Sequence, residues 1–189
     1  MMSKRNIRTK TGHGFGEYEL SHNPGYDFMR LAKWLEKADP ANENLPFAPY
    51  LIAPLALIAA CCSIEGYINM IGLRVDNDWV SFDKGPVPIR KRIERIYESV
   101  GKTPDFGKDI LQKGLSLFQM RVALVHPRYV SKSEVRDSDI PTAFDEVEAI
   151  FPPAVSRQLA EEVISLLLKD SDLENLKEHW RFGGYSQKI

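Results

Sequence analysis

The chain has 189 residues, a length that suits one domain with extensions better than two complete domains. Hydrophobic residues make up 43% of it and charged residues 27%, which is typical of a globular protein with a substantial core. Because 25 lysines and arginines are balanced by 26 aspartates and glutamates, the formal net charge is −1. The chain therefore has no overall attraction to nucleic acid or acidic membranes, and binding either one requires a local basic patch.

The first 22 residues are predicted to form a flexible arm. A basic segment is followed by the glycine-rich "TGHGFGEYE", which lacks the strand and apolar helix that flank a nucleotide-binding fingerprint. No apolar stretch follows the basic residues, so we do not expect a secretory signal. The adjacent Cys61 and Cys62 lie in an apolar run and indicate small core side chains rather than a disulfide, which favours a cytoplasmic protein.

Two helices are predicted in the first half of the chain. In the first, over about 24–38, apolar residues recur at helical spacing on one face: Phe28, Leu31, Trp34 and Leu35. The second runs over about 54–71 and ends at Gly72. It overlaps an uncharged stretch, 45–64, that is long enough to span a membrane but contains three prolines. We interpret it as a buried central helix with no membrane association, and a membrane span is the alternative.

The second half is predicted to contain at least three further helices. After a loop or short hairpin over 74–88, a third helix covers about 87–100, and a fourth covers about 108–126. The fourth is apolar nearly all round in its second half, which predicts a central position, and Pro127 ends it. A polar, irregular segment over 128–144 precedes "PPAVSRQLAEEVISLLLKD", an amphipathic helix with these residues on its buried side: Val155, Leu159, Val163, Leu166 and Leu167.

Five or six helices without alternating strands or internal repeats predict an all-α protein, an up-and-down bundle of about five helices. The bundle domain is expected over 23–180, and "DLENLKEHW" could add a short terminal helix. Residues 181–189 are predicted to form a flexible tail.

The segment "FQMRVALVHPR" places two cations, Arg121 and His126, in an apolar helix. Five positions turn an ideal helix by about 500°, so the two side chains point roughly 140° apart and lie about 7.5 Å apart along the axis. Unwinding of the last turn, or a two-fold dimer, is needed to bring them together. Because arginine keeps its charge, Arg121 needs an anion, either a phosphate or a carboxylate such as Glu65.

The chemistry of the two cations is sufficient for cleavage of RNA without a metal. A histidine at a helix C-terminus can exchange protons near neutral pH, and an arginine can stabilise charge on a phosphoryl group. One group takes the proton of the 2′-hydroxyl, and the leaving 5′-oxygen is protonated. The alternative is a structural Arg–Glu pair with a capping histidine. Neither a cofactor nor a metal is predicted, because no phosphate loop or zinc spacing occurs.

The segment "LFQMRVALVHPR" resembles the signature of the HEPN superfamily (higher eukaryotes and prokaryotes nucleotide-binding domains), in which four to six residues separate an arginine from a histidine near the end of a bundle helix. The order of segments is similar as well: an apolar helix ending in "SIEGYIN", then "PIRKRIERIYESVGKTPDF", the Arg–His helix and a long amphipathic helix. The resemblance covers roughly residues 49–170.

The resemblance implies a homodimer with a composite, metal-independent ribonuclease site at its interface. Carried over to this chain, Arg121 and His126 would be the catalytic pair. Glu65 and Asn69, four apart on one helix face, would orient them. Alternatively, Glu65 is a salt-bridge partner of Arg121, and Asn69 forms a helix-end hydrogen bond. Active members usually have a polar residue, most often Asn, directly after the arginine, whereas this chain has Val122.

Three functions follow from these observations. The first is an endoribonuclease of the toxin or phage-defence type, with RNA as substrate and a neutralising antitoxin as partner. The second is a non-catalytic HEPN-like module that binds a nucleotide, RNA or a protein, which Val122 favours. The third is a structural helical interaction domain. The residues predicted to contact nucleic acid, unless they are merely solvated, are Arg90, Lys91, Arg92, Arg95 and Arg128.

Overall fold

The computed structural model describes residues 18–19, 24–42, 44–107, 109–125, 143–174 and 186–187. Within these ranges the regular secondary structure is α-helical except for a short 3-10 turn and one antiparallel pair of two-residue strands. The strands are β1 (Tyr18–Glu19) and β2 (Ser186–Gln187), and the helices are α1 (Pro24–Glu36), α2 (Ile52–Val75), α3 (Trp79–Phe82), α4 (Ile89–Ser99), α5 (Asp109–Val125), α6 (Ala143–Ile150) and α7 (Pro153–Asp170). The predicted all-α class is confirmed.

Helix α2 lies at the centre of the fold and packs against α1, α3, α4, α5, α6 and α7. The 3-10 turn Pro49–Leu51 leads into it, and Pro54 occupies the first turn, where a missing amide hydrogen breaks no intrahelical bond. The segment Pro49–Val75 is long and apolar enough to cross a membrane, but 67% of its most apolar window is buried inside the protein. Burial of this extent is typical of a core helix.

Helices α1 and α2 run antiparallel in close contact. Gly25 at the start of α1 contacts the middle of α2. There the hydroxyl of Ser63 donates a hydrogen bond to the carbonyl oxygen of Gly25 at 2.7 Å. Leu35, near the end of α1, packs with Ile52 and Ala56 from the start of α2. Small side chains at this contact allow the two backbones to approach each other.

The predicted buried face of α1 is wrong at three of its four positions. Leu35 is 1% exposed, whereas Phe28, Leu31 and Trp34 are 36%, 41% and 47% exposed. The buried stripe instead contains Gly25, Met29, Ala32 and Leu35. Close approach to α2 selects the small residues and turns the larger apolar side chains outward.

The predicted end of α2 at Gly72 is also wrong, because the helix continues to Val75. Gly72 lies against the indole of Trp79, and a Cβ added there would come within 2.1 Å of the ring. Trp79 belongs to α3, a four-residue helix within the predicted loop, whose flanking residues 76–78 and 83–88 are not helical. Gly72 is thus required by a contact between helices rather than by helix termination.

The later helices match their predicted positions closely, with exceptions. Helices α4, α5 and α7 begin and end within two residues of expectation where they are described. The eight-residue α6, which was not predicted, buries Val147, and with the short α3 it raises the number of helices in the described segments to seven. Val155 is 43% exposed rather than buried, because it lies in the first turn of α7.

The second half of α5 was expected to be buried, but only one side of it is. Leu117 and Phe118 are buried, but Val122 and Val125 are 53% and 55% exposed. These two valines, three positions apart, form an exposed apolar strip that is called the valine face below. The arm before residue 18 and most of the suggested terminal helix lie outside the described residues.

Gly72→Ala is expected to destabilise the protein. Displacing the buried indole outweighs the helix-propensity gain of about 1 kcal/mol, so we expect a net loss of about 2 kcal/mol. The melting temperature should then fall by roughly 4–8 °C in a calorimetric scan. Gly85→Ala is the matched control, because a Cβ there meets no atom within 4 Å. Equal melting temperatures for the two variants would contradict the close contact with Trp79.

Candidate functional site

Arg121 and Glu65 form an ion pair between α5 and α2. The Nη1 of Arg121 donates to the Oε2 of Glu65 at 2.8 Å, and the two side chains are 26% and 30% exposed. The carboxylate of Glu65, which was predicted as a partner, therefore lies beside the Arg121 guanidinium in the same subunit. The pair is half-buried, so each group is partly shielded from water yet still reachable from solvent.

A sulfur contact fixes α5 against α2 next to this pair. The thiol of Cys61 donates to the Leu117 carbonyl at 3.6 Å, one turn before Arg121. Burial raises the pKa of Cys61, and burial followed by the charge of Glu65 raises the pKa of Cys62, so both remain neutral thiols at physiological pH. The predicted role of the two cysteines as small side chains without a disulfide agrees with this arrangement.

The guanidinium of Arg121 is held as a permanent cation. Burial lowers its pKa, but the hydrogen bond and charge of Glu65 together outweigh burial, so the pKa of Arg121 is raised. Its Cζ also lies 5.2 Å from the centre of the Phe118 ring, within cation–π distance. A guanidinium carries five N–H donors, and the bond to Glu65 uses one of them.

Asn69 lies one turn beyond Glu65 on α2. Its Oδ1 is buried, and within the described part of the chain it accepts no hydrogen bond. The predicted role of Asn69 in orienting Arg121 and His126 stays a prediction, because His126 lies outside the described residues. A buried acceptor without a donor is unfavourable by about 1–3 kcal/mol.

His126 and Arg128 lie outside the described residues, which end in this region at Val125. The separation between Arg121 and His126 therefore stays a prediction. The valine face adjoins Arg121 directly, since Val122 is the next residue and Val125 lies one turn further on. A half-buried cation with exposed aliphatic neighbours is thus presented at the end of α5.

The basic face of α4 is partly neutralised within the fold. Three of its four predicted nucleic-acid contacts have acidic neighbours: Arg90–Glu94 at 3.1 Å, Arg92–Asp83 at 2.8 Å and Arg95–Asp76 at 2.6 Å. The Nε of Arg92 and the Oδ1 of Asp83 are close but not aligned for a hydrogen bond, so that contact is ionic only. The pKa of Asp76 is lowered by the hydrogen bond from Arg95. Lys91 is exposed.

Sequence reasoning identified the two charged partners of the site but missed their surroundings. Phe118, three positions before Arg121 on the same helix, is a neighbour that helical spacing alone could have indicated. The contact of Cys61 with α5 depends on packing and has no sequence signal. Among the described residues, no group of three His, Cys, Asp or Glu side chains is placed to hold a metal ion.

Comparison of the chain with protein-family models, with curated proteins and with solved structures finds no match. The resemblance to the HEPN superfamily thus rests on the quoted segments alone and stays a prediction.

Glu65 and Arg121 are expected to be energetically coupled. Removing one partner leaves the other half-buried without its counter-charge. A double-mutant cycle with Glu65→Gln and Arg121→Met, measured by urea unfolding, should therefore give a coupling free energy of about 1–2 kcal/mol. The control cycle removes Lys113 and Asp109, an exposed pair 2.5 Å apart on α5, which should couple more weakly. If the two cycles gave the same coupling, the Glu65–Arg121 pair would be no more than a solvated contact.

Proposed function

We propose that this chain is a HEPN-like, metal-independent endoribonuclease of the toxin or defence type that acts as a homodimer. The observation that carries the proposal is the half-buried guanidinium of Arg121, which Glu65 holds in place at the end of α5. In the same proposal the protein is cytoplasmic, and an antitoxin partner neutralises it.

The arrangement around Arg121 suits stabilisation of charge on a phosphate. Glu65 restricts the guanidinium to one position, so less side-chain freedom is lost when an anion binds. Partial burial strengthens the attraction between this cation and the negative charge that develops on the phosphorane. In this mechanism His126 exchanges protons with the 2′-hydroxyl and the 5′-oxygen. Asn69 has no assigned step.

The valine face supports the dimeric part of the proposal. Exposed aliphatic side chains beside a functional cation are typical of a surface that pairs with another chain. An isologous interface over Val122 and Val125 would bring two copies of Arg121 towards one cleft, because a two-fold axis places the same helix on both sides. Each subunit would then contribute its own Arg121–Glu65 pair.

A second candidate is a HEPN-like module that binds RNA, a nucleotide or a protein without cleaving RNA. Val122 favours it, since valine cannot form the hydrogen bond of the polar residue usual at that position. The pairing of Arg121 with a carboxylate of its own subunit also favours it. In this case Arg121 holds two helices together, and Lys91 with its neighbours would contact phosphates.

The ribonuclease activity is tested with purified protein and a labelled single-stranded RNA of mixed sequence in EDTA. We expect cleavage by the wild type, a rate at least about 100-fold lower for Arg121→Ala and His126→Ala, and none for RNA with 2′-deoxyribose at the cut position. Arg74→Ala removes an exposed arginine of α2 and serves as the matched control, which should cut normally.

Two outcomes would reject the ribonuclease. One is intact RNA with the wild-type dimer, and the other is equal cleavage by the wild type and both site variants, which indicates a contaminating nuclease. Salt-dependent RNA binding by the wild type without cleavage would support the second candidate instead.

The dimer is tested by sedimentation of two charge variants. Val122→Asp places a carboxylate in the proposed interface and should shift the protein to monomer at micromolar concentration, because burying an unpaired charge is unfavourable by several kcal/mol. Val80→Asp introduces the same change on α3, where the side chain is 46% exposed, and should leave the dimer intact. If both variants sedimented like the wild type, the valine face would not be the interface.

A further inference from the structure

A groove of about 560 Å³ lies along α7, bordered by α1 and by the start of α5. Its volume is within the range of small-molecule sites, roughly 300–1,000 Å³. The α7 residues that line it extend from Gln158 to Lys169, a rise of about 16 Å along the helix. None of its lining residues belongs to the Arg121–Glu65 site, so the groove is a separate feature.

The floor of the groove is apolar. Ile110 from α5 and Leu166 from α7 are partly exposed and line it, together with the buried side chains of Met29, Tyr67 and Leu168. The floor therefore suits a ligand with an apolar body.

An ion-pair network at one end of the groove is electrically balanced. Lys33 contacts Glu161 at 2.8 Å, and Arg157 contacts both Glu161, at 2.6 Å, and Glu36. Two cations and two carboxylates thus neutralise one another. The network links α1 to α7 at this end of the groove.

The remaining charged groups of the lining leave an excess of negative charge. They are the exposed side chains of Glu162, Lys169 and Glu174, two carboxylates and one ammonium. The amide of Gln158 donates to Glu162 at 2.9 Å and holds that carboxylate without neutralising it. One uncompensated negative charge above an apolar floor is complementary to a single positive charge on an apolar ligand.

We propose that this groove binds a small organic monocation, an aromatic or alkyl body that carries one ammonium group. The body lies on Ile110 and Leu166, and the ammonium is directed towards Glu162. This binding is independent of RNA cleavage, and neither activity requires the other.

Fluorescence titration of the full chain with dansylcadaverine tests the proposal, with dansylglycine as the anionic counterpart. The first probe joins the fluorophore to an ammonium and the second joins it to a carboxylate. We expect saturable binding of dansylcadaverine and an affinity for dansylglycine at least about tenfold weaker, since each charge changes sign against the same carboxylates. Equal affinities, or no saturable binding of dansylcadaverine, would overturn the proposal.

Two variants place the probe in the groove. Glu162→Gln should lower the affinity for dansylcadaverine about fivefold without affecting the fold, because one solvent-exposed charge is lost. Glu148→Gln makes the same change on an exposed residue of α6 outside the groove and should bind like the wild type. Ser165→Phe fills the groove from α7 and should abolish binding, with melting temperature as the check on folding. Equal effects of Glu162→Gln and Glu148→Gln would show that the probe binds elsewhere.

Discussion

Helix α2 carries only two charged residues in 24, Glu65 and Arg74, so the rest of the chain has to cover it on nearly every side. Six helices pack against it, and burial of so much of its surface restricts where the remaining charges can lie. Glu65, midway along a core helix, loses part of its hydration on folding, which is unfavourable unless a cation compensates. Arg121 supplies that cation from α5, and the two groups offset each other's desolvation. The candidate site therefore arises from the same constraint as the core.

The Arg121–Glu65 ion pair can stabilise the fold or position Arg121 for catalysis, and the two roles differ in whether the charge itself is needed. A pair that only joins two helices can be replaced by apolar side chains of similar volume with little loss of stability. A pair that positions a cation for a phosphate needs the charge itself. The exposure of the valine face beside Arg121 is not required by the core, because Val122 and Val125 contribute little buried area to it. Apolar side chains with similar exposure also occur elsewhere on the surface, among them Leu31, Trp34 and Val80, so this exposure is compatible with either role.

Helical periodicity was enough to predict most of the helices, but not which residues they bury. The bounds of α4, α5 and α7 follow from apolar spacing and prolines. The buried face of α1 does not, because hydropathy favours Phe28 and Trp34, whereas close packing against α2 requires small residues such as Ala32. The reason for a glycine at position 72, inside α2 rather than at its end, is an indole seven positions later. In the site, charge complementarity pairs Arg121 with Glu65, but the sulfur contacts and the exposed valines depend on tertiary packing.

Helix α1 lies before the region that resembles the HEPN superfamily, and it shapes the second candidate site. Its small residues dock on α2, while Lys33 and Glu36 connect it to α7 through a balanced network. The groove lies along α7 beside this connection, and α1 contributes Tyr26, Met29 and Lys33 to its lining. Since the Arg121–Glu65 pair joins α2 to α5, a substitution that loosens α1 should affect the groove without disturbing that pair.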